Sequence, residues 1–145
     1  MSHCFHQLWS HLIWTPKYRA PLITPELKWP LYDKIRRICK ELGDYLDHVN
    51  GTEDHIHLLV ELKPGFCISD VVKNIKGITW EWIRREGLSR KYFSWQDGFA
   101  AISVSPKDVP LIRNYIRNQE KHHKKESLNK ELTLLNARTY KMDNG

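Results

Sequence analysis

The sequence is poor in the features that mark several functional classes. Its three cysteines are far apart and form no C-x-x-C pair, which argues against a cysteine zinc site and a dithiol redox centre. It has no apolar run of about 18 residues that could span a membrane, and no basic segment leading into an apolar run near its start. It also lacks the glycine-rich phosphate loop of an ATP site. These absences predict a cytoplasmic protein in a reducing compartment, with no membrane partner.

The rest of the composition is that of one basic globular domain. The chain has 145 residues, of which 41% are apolar and 28% charged. We predict one domain over 1–145, with a core over 5–126 and a C-terminal helix and tail over 127–145. The net charge of +6 favours a polyanionic partner, and residues 111–130 carry six basic and two acidic side chains. That segment is either a nucleic-acid contact or a solvated helix face.

The spacing of apolar and aromatic residues predicts alternating strands and helices. Segments 5–14, 44–52, 55–62 and 99–105 read as strands, the middle two joined by a turn around 51–54. A helix is predicted over 27–42, with its regular part beginning near Pro30 and its end at Gly43. A second helix, capped by Ser69, follows. Its apolar stripe consists of Val71, Ile75, Ile78 and Trp82.

A third long helix is predicted to begin between 105 and 108 and to continue through 125, with a shorter helix from 127. The order is then strand, helix, strand, strand, helix, strand and an additional helix. This is the split β-α-β arrangement of ferredoxin-like antiparallel sheets, an α+β fold. Such a sheet has helices on one face and can leave the other free for nucleic acid or for a protein partner. Fold alone does not decide between them.

Two histidines stand one residue apart at the start of the predicted third strand, in "EDHIHLLV". His55 and His57 share one face of a strand, with Cα atoms about 7 Å apart, so their imidazoles can converge on one ion. A metal site needs further ligands. Without one, the alternative is structural: one histidine caps the turn and the other packs at the sheet edge.

The third predicted helix offers two further polar groups. Tyr115 and Gln119 are four residues apart and lie within about 40° of each other on one helix face. Val109, Ile112 and Ile116 form a separate apolar stripe. The helix can therefore bury that stripe while presenting a phenol and a carboxamide along its edge.

Several segments together resemble a known family. His55-Ile56-His57 is accompanied, in order, by "LWSHLIWTPKYRAPLI", "NIKGITWEWI", "FSWQDGFAAISVS" and "YIRNQEKHH". This colinear set resembles the HUH single-tyrosine transposases of the insertion-sequence 200/605 type, and the resemblance spans roughly residues 5 to 130.

The resemblance implies a role for particular residues. It assigns His55 and His57 as a metal-binding pair for Mg²⁺ or Mn²⁺, and Gln119 as a third ligand. It assigns Tyr115, which lies on the additional C-terminal helix, as the nucleophile. The implied substrate is single-stranded DNA at hairpin-containing ends of a mobile element, cleaved through a 5′-phosphotyrosine link. The implied assembly is a homodimer in which the tyrosine helix can serve the partner's histidines, an active site in trans. Asp54 is expected to order the turn or to contact one of the metal ligands without binding the ion itself.

Basic and aromatic side chains are further candidates for DNA contact. As phosphate contacts or stacking platforms we single out Lys17, Arg19, Lys73, Lys76, Arg113, Arg117, Lys121, His122 and Trp95. The structural alternative is that each basic residue is ordinary surface and each tryptophan is core.

Two other functions fit the sequence. RNA-recognition modules share this strand and helix order, so a non-catalytic single-stranded nucleic-acid-binding module is one alternative, although Tyr115 and Gln119 would then have no assigned role. A metal-dependent phosphodiesterase that activates water, with a purely structural Tyr115, is the other.

Overall fold

The structure is a computed structural model that describes residues 4–119. Its sheet has the order β2-β3-β1-β4, and every neighbouring pair is antiparallel. The predicted α+β fold with a ferredoxin-like sheet is confirmed. In chain order the elements are β1 (Trp9–Trp14), α1 (Pro25–Leu42), β2 (Tyr45–Thr52), β3 (His55–Glu61), α2 (Ile68–Arg85), β4 (Ala100–Val104) and α3 (Val109–Arg117).

The two central strands, β1 and β3, are buried on both faces because helices cover each side. On one face Leu12, Ile56 and Leu58 belong to the main core, with apolar residues of α1 and α2. On the other face Leu59 packs with Ile116 of α3 in a smaller cluster. Alternation along the strands thus sends successive side chains to different cores. The candidate site lies in the layer between the sheet and α3.

The first helix begins earlier than its proline suggests. It starts at Pro25, and the Thr24 hydroxyl accepts a hydrogen bond from the Leu27 N–H at 3.3 Å. Pro30 lies inside the helix, so the prediction that the regular part begins near Pro30 is wrong. The threonine cap and the burial of Leu27 hold this first turn, while Pro30 itself is exposed. Tertiary packing here overrides the cost of an internal proline.

The second helix also begins earlier than predicted. Cys67 occupies the N-cap position, without a side-chain capping bond, and Ser69 lies within the first turn. The expected apolar stripe is shifted too, because Ile78 is 42% exposed whereas Thr79 is buried. The prediction of a serine cap is therefore wrong.

The tryptophan singled out for DNA contact is a core residue. Trp95 is 7% exposed, and its ring packs edge-on against Phe93 and Trp14. Its Nε1–H donates to the Thr79 hydroxyl at 3.0 Å. A ring enclosed in this way has no free face for an unpaired base, so the structure favours the alternative of a core tryptophan.

The last described helix, α3, covers only the first part of the predicted third helix. It ends at Arg117, and the Asn118 N–H closes its final turn on the Asn114 carbonyl oxygen at 3.1 Å. The predicted continuation to 125, the shorter helix from 127, the tail over 127–145, Lys121 and His122 lie outside the described residues. Among the helices of residues 4–119, none has the length and apolar character needed to cross a membrane.

Candidate active site

Strand β3 directs both predicted histidines toward α3. Because alternate side chains of a strand share a face, His55 and His57 project from the same side of the sheet. Both are fully buried, and their ring centroids lie 5.0 Å apart. The structure therefore brings the two imidazoles together beneath the helix that carries Tyr115.

The turn before β3 fixes the orientation of His55. The His55 Nδ1 lies 2.7 Å from Asp54 Oδ1 and 2.9 Å from the Thr52 hydroxyl oxygen, and that hydroxyl donates to the same Asp54 oxygen at 3.0 Å. Gly51, near the end of β2, is required because a Cβ there would overlap the His55 carbonyl oxygen. Asp54 thus orders the turn and accepts the hydrogen on Nδ1. His55 is left with an Nε2 lone pair that faces away from the turn.

Gln119 meets that lone pair. Its side chain is fully buried, and its Oε1 lies 3.1 Å from His55 Nε2. The sequence placed Gln119 on the same helix face as Tyr115, but α3 ends between the two residues. The carboxamide nevertheless reaches the histidine pair, from the segment that follows Asn118. Within residues 4–119, the Gln119 Nε2 has no hydrogen-bond partner.

This arrangement fits a divalent cation. Two electron-pair donors 3.1 Å apart, His55 Nε2 and Gln119 Oε1, repel each other unless a proton or a cation lies between them. Neighbouring ligands of an octahedral Mg²⁺ are about 3.0 Å apart, as follows from metal–ligand distances of about 2.1 Å. No group of three or more His, Cys, Asp or Glu side chains suited to a metal occurs within residues 4–119. A set of two imidazoles and one carboxamide would be neutral.

The sequence analysis missed a third histidine. His11 of β1 is fully buried, and its Nε2 lies 2.8 Å from His57 Nδ1. Burial lowers the pKa of His11 to about 4, so its ring is neutral at pH 7. His11 lies between Trp9 and Ile13 on a face of β1 that is otherwise apolar. That isolated polar position is the only signal in the sequence, because its nearness to His57 depends on the register in which Ile13 is opposite His57.

Tyr115 lies above the same group of rings. Its ring centroid is 6.1 Å from that of His57 and 6.3 Å from that of His11, with edge-on geometry in both cases. The apolar stripe of α3 makes this placement possible, since Ile116 is fully buried against Leu59. In the single chain described here, Tyr115 is therefore next to its own histidine pair.

Polar contacts from β2 hold α3 in place. The Arg113 guanidinium donates two hydrogen bonds to the Asp47 carboxylate, at 2.7 and 2.8 Å. The Asn50 amide donates to the carbonyl oxygens of Ile116 and Arg117 at 3.0 and 3.2 Å, and so satisfies free carbonyls at the end of the helix. Together these contacts clamp the helix at both sides of Tyr115.

A β-bulge supplies the carboxylate of this clamp. The pairing of β2 with β3 shifts register between Leu46 and His48, which leaves Asp47 as the extra residue. Bulges redirect a side chain that regular alternation would place elsewhere. Arg113, predicted as a DNA contact, is instead engaged in this ion pair.

Removing the ion pair should loosen α3. In Asp47→Ala we expect amide hydrogens of residues 109–117 to exchange several-fold faster than in the wild type, because the helix loses a bidentate, charge-assisted contact. The comparison is Asp33→Ala, which breaks the exposed Asp33–Arg36 pair on α1. Unchanged exchange over 109–117 in Asp47→Ala, or equal acceleration in Asp33→Ala, would contradict the role of Asp47.

Of the other predicted DNA contacts, some side chains already contact groups within the protein and the rest are exposed. Lys76 donates through Nζ to the carbonyl oxygens of Gln96 and Gly98, and burial lowers its pKa. The Arg19 guanidinium lies 3.7 Å from the Asp54 carboxylate, beside His55. The exposed members of the set are Lys17, Lys73 and Arg117.

Comparison with known proteins identifies the family of this chain. The family model described as "Transposase IS200 like" matches residues 4–119, a stretch that contains the three histidines, Tyr115 and Gln119. This chain belongs to the IS200-like transposase family. The ISDra2 transposase TnpA of Deinococcus radiodurans is 31% identical to this transposase over 126 residues, which span 83% of this chain and 88% of that protein. The transposase for insertion sequence element IS200 of Salmonella typhimurium is 25% identical over 122 residues, 79% of this chain and 80% of that protein.

Solved structures agree with the fold of this IS200-like transposase. A crystal structure of a candidate transposase from Deinococcus radiodurans R1 has a TM-score of 0.67 and 27% sequence identity, and the match covers 82% of this chain and 95% of that one. A REP-associated tyrosine transposase bound to a REP hairpin has a TM-score of 0.60 at 20% identity, over 85% of this chain and 74% of that one. The second match shows the shared fold.

Proposed function

We propose that this IS200-like transposase cleaves and rejoins single-stranded DNA at mobile-element ends by metal-assisted tyrosine transesterification. The observation that carries the proposal is the meeting of Tyr115, the histidine pair and Gln119 in the layer between the sheet and α3. The tyrosine ring is 6.1 Å from the His57 ring, and Gln119 Oε1 is 3.1 Å from His55 Nε2. Neither a binding module nor a structural tyrosine requires these three groups together.

The proposed step exchanges one phosphoester for another. The Tyr115 oxygen attacks the phosphorus and loses its proton, the bond from phosphorus to the 3′-oxygen breaks, and that oxygen takes up a proton as a free 3′-hydroxyl. The 5′-phosphate remains on the tyrosine. Attack by a new 3′-hydroxyl reverses the exchange and rejoins the DNA, so no ATP is consumed. A phenol with a pKa near 10 is a weak nucleophile at neutral pH, so the site must help in other ways.

His55, His57 and Gln119 are the side chains that would hold Mg²⁺ or Mn²⁺. A bound ion would supply Lewis-acid stabilisation of the scissile phosphate and of the departing 3′-oxygen. Because the three side chains are neutral donors, they would leave the full positive charge for the phosphodiester anion. Asp54 holds the His55 ring so that its Nε2 points to Gln119.

We propose single-stranded DNA with hairpins as the partner. One relative of the same fold is described as bound to a REP hairpin. On this chain, Lys17, Lys73 and Arg117 are exposed and suited to phosphate contacts. Arg19 is placed to contact a phosphate near His55, if its weak pairing with Asp54 yields. Lys121 and His122 stay predictions from the sequence.

We further propose a homodimer. The edge strand β4 pairs with β1 on one side, and no other strand of residues 4–119 pairs with its outer side. An unpaired edge is suited to addition of another strand, here from a second copy. In such a dimer the tyrosine helix could act on the histidine pair of its own subunit, beside which it lies in the single chain, or on that of the partner.

Labelled oligonucleotides test the mechanism. Single-stranded DNA that tiles the sequence around the gene is labelled at either end, incubated with the protein and Mn²⁺, and resolved on a denaturing gel. We expect the 3′-labelled strand to shift with the protein and the 5′-labelled strand to be released with a free 3′-hydroxyl. Cleavage without a covalent adduct would indicate a phosphodiesterase, and binding alone a non-catalytic module. Either result would overturn the proposal.

A further inference from the structure

We infer that His11 is a positioning residue that holds His57 in the one tautomer able to bind a cation through Nε2. The inference rests on the proposed metal-binding role of His57. It concerns a residue of β1 that contacts no phosphate and no metal in the proposed mechanism. His11 acts only through the ring of His57.

The contact between the two rings is short and fully enclosed. His11 Nε2 and His57 Nδ1 are 2.8 Å apart, both side chains are 0% exposed, and the ring planes are tilted by 31°. At this distance one hydrogen lies between the two nitrogens, so one ring donates and the other accepts. Water is excluded from both, and it cannot replace either partner.

The direction of that hydrogen bond decides what His57 can do. If His11 donates, a neutral His57 accepts on Nδ1 and carries its hydrogen on Nε2, where no lone pair is left for a cation. If His57 donates from Nδ1, its Nε2 carries a lone pair and can be a ligand. Binding through Nδ1 is blocked in either case, because His11 occupies that side. A metal-binding His57 therefore requires His11 as the acceptor.

Both histidines of the pair would then be oriented by donating the Nδ1 hydrogen, but to acceptors of different chemical types. His55 donates its Nδ1 hydrogen to the Asp54 carboxylate, at 2.7 Å, whereas His57 donates to a neutral imidazole, at 2.8 Å. Such outer partners fix the tautomer and the ring orientation of a ligand. A neutral acceptor does so without adding a second negative charge beside the site.

Packing keeps His11 in position for this task. The Tyr115 ring lies 6.3 Å away, edge-on, and β1 pairs with β3 on one side and β4 on the other. His11 therefore sits in a central strand, beside the histidine pair and beneath the tyrosine helix. Its backbone cannot shift without disturbing both neighbouring strands.

Two substitutions with side chains of similar size show whether His11 acts through its accepting nitrogen or only by filling space. His11→Gln keeps an acceptor that can reach His57 Nδ1, whereas His11→Leu removes it and fills the space. The first measurement is the ¹⁵N NMR spectrum of the imidazole nitrogens in metal-free protein, assigned with His57→Gln. The second is the dissociation constant for Mn²⁺ by electron paramagnetic resonance.

We expect His57 to carry its hydrogen on Nδ1 in the wild type and in His11→Gln. In His11→Leu that preference should be lost, and the Mn²⁺ dissociation constant should rise by about 10- to 100-fold. A wild-type His57 with its hydrogen on Nε2 would overturn the inference, as would a folded His11→Leu with unchanged tautomer and affinity. The wild-type spectrum decides even if His11→Leu does not fold. A wild type that binds no Mn²⁺ would refute the proposed metal site, while the tautomer would still test His11.

Discussion

Tyr115→Phe should form no covalent adduct with single-stranded DNA. Loss of the phenolic oxygen removes the proposed nucleophile, and strand cleavage should fall by roughly 10³-fold or more. The phenylalanine ring retains the apolar contacts with Ile13 and its neighbours, so the fold and the DNA affinity should be preserved. The measurement is the denaturing gel with 3′-labelled DNA and Mn²⁺, alongside a binding titration under native conditions.

Tyr45→Phe is the matched control. Tyr45 lies on β2, is 60% exposed, and loses the same single oxygen, but it packs against Trp9 and away from the histidine pair. We expect its adduct yield to equal that of the wild type. An adduct that persists in Tyr115→Phe, or one that is lost equally in both variants, would exclude Tyr115 as the nucleophile.

The sequence predicted the elements of the fold better than their ends. Strand alternation and helical spacing are local properties, and they were sufficient for the ferredoxin-like order. The start of α1 depends on tertiary burial of Leu27 as well as on the Thr24 cap, so Pro30 was misleading. Likewise, a tryptophan beside a turn has the same local signal whether it is core or exposed. Trp95 is buried because it contacts Phe93 and Thr79, and such tertiary contacts cannot be read from the periodicity of the sequence.

Likewise, the sequence predicted only some of the residues of the candidate site. The spacing of His55 and His57 shows a shared strand face, and helical spacing singled out Tyr115 and Gln119. The resemblance to a family supplied the roles of Tyr115 and Gln119. His11 and Asp47 were not found, because each depends on strand pairing. His11 reaches His57 only in the register between β1 and β3, and Asp47 reaches Arg113 only through a bulge in β2. Neither register nor bulge leaves a clear signal in one sequence.

His55→Ala should strongly weaken metal binding at this site. The variant removes one of three proposed ligands and also the ring that links Asp54 to Gln119. We expect the Mn²⁺ dissociation constant to rise by at least about 100-fold, more than for the loss of a residue that only orients a ligand. Metal-dependent adduct formation should be lost with it. Titration with Mn²⁺, followed by paramagnetic resonance of the free ion, measures the affinity directly.

His48→Ala distinguishes a ligand from a nearby histidine. His48 lies on β2, opposite Leu59 and on the same face of the sheet as His55, but it is partly exposed. Its loss should leave both the Mn²⁺ affinity and the adduct yield unchanged. Treatment of the wild type with a chelator should stop cleavage, and added Mn²⁺ should restore it in the wild type and in His48→Ala but not in His55→Ala. If His55→Ala stays folded by circular dichroism and its cleavage activity is restored by Mn²⁺ as in the wild type, the ion is held elsewhere. His55 would then only stabilise the turn, through its contact with Asp54.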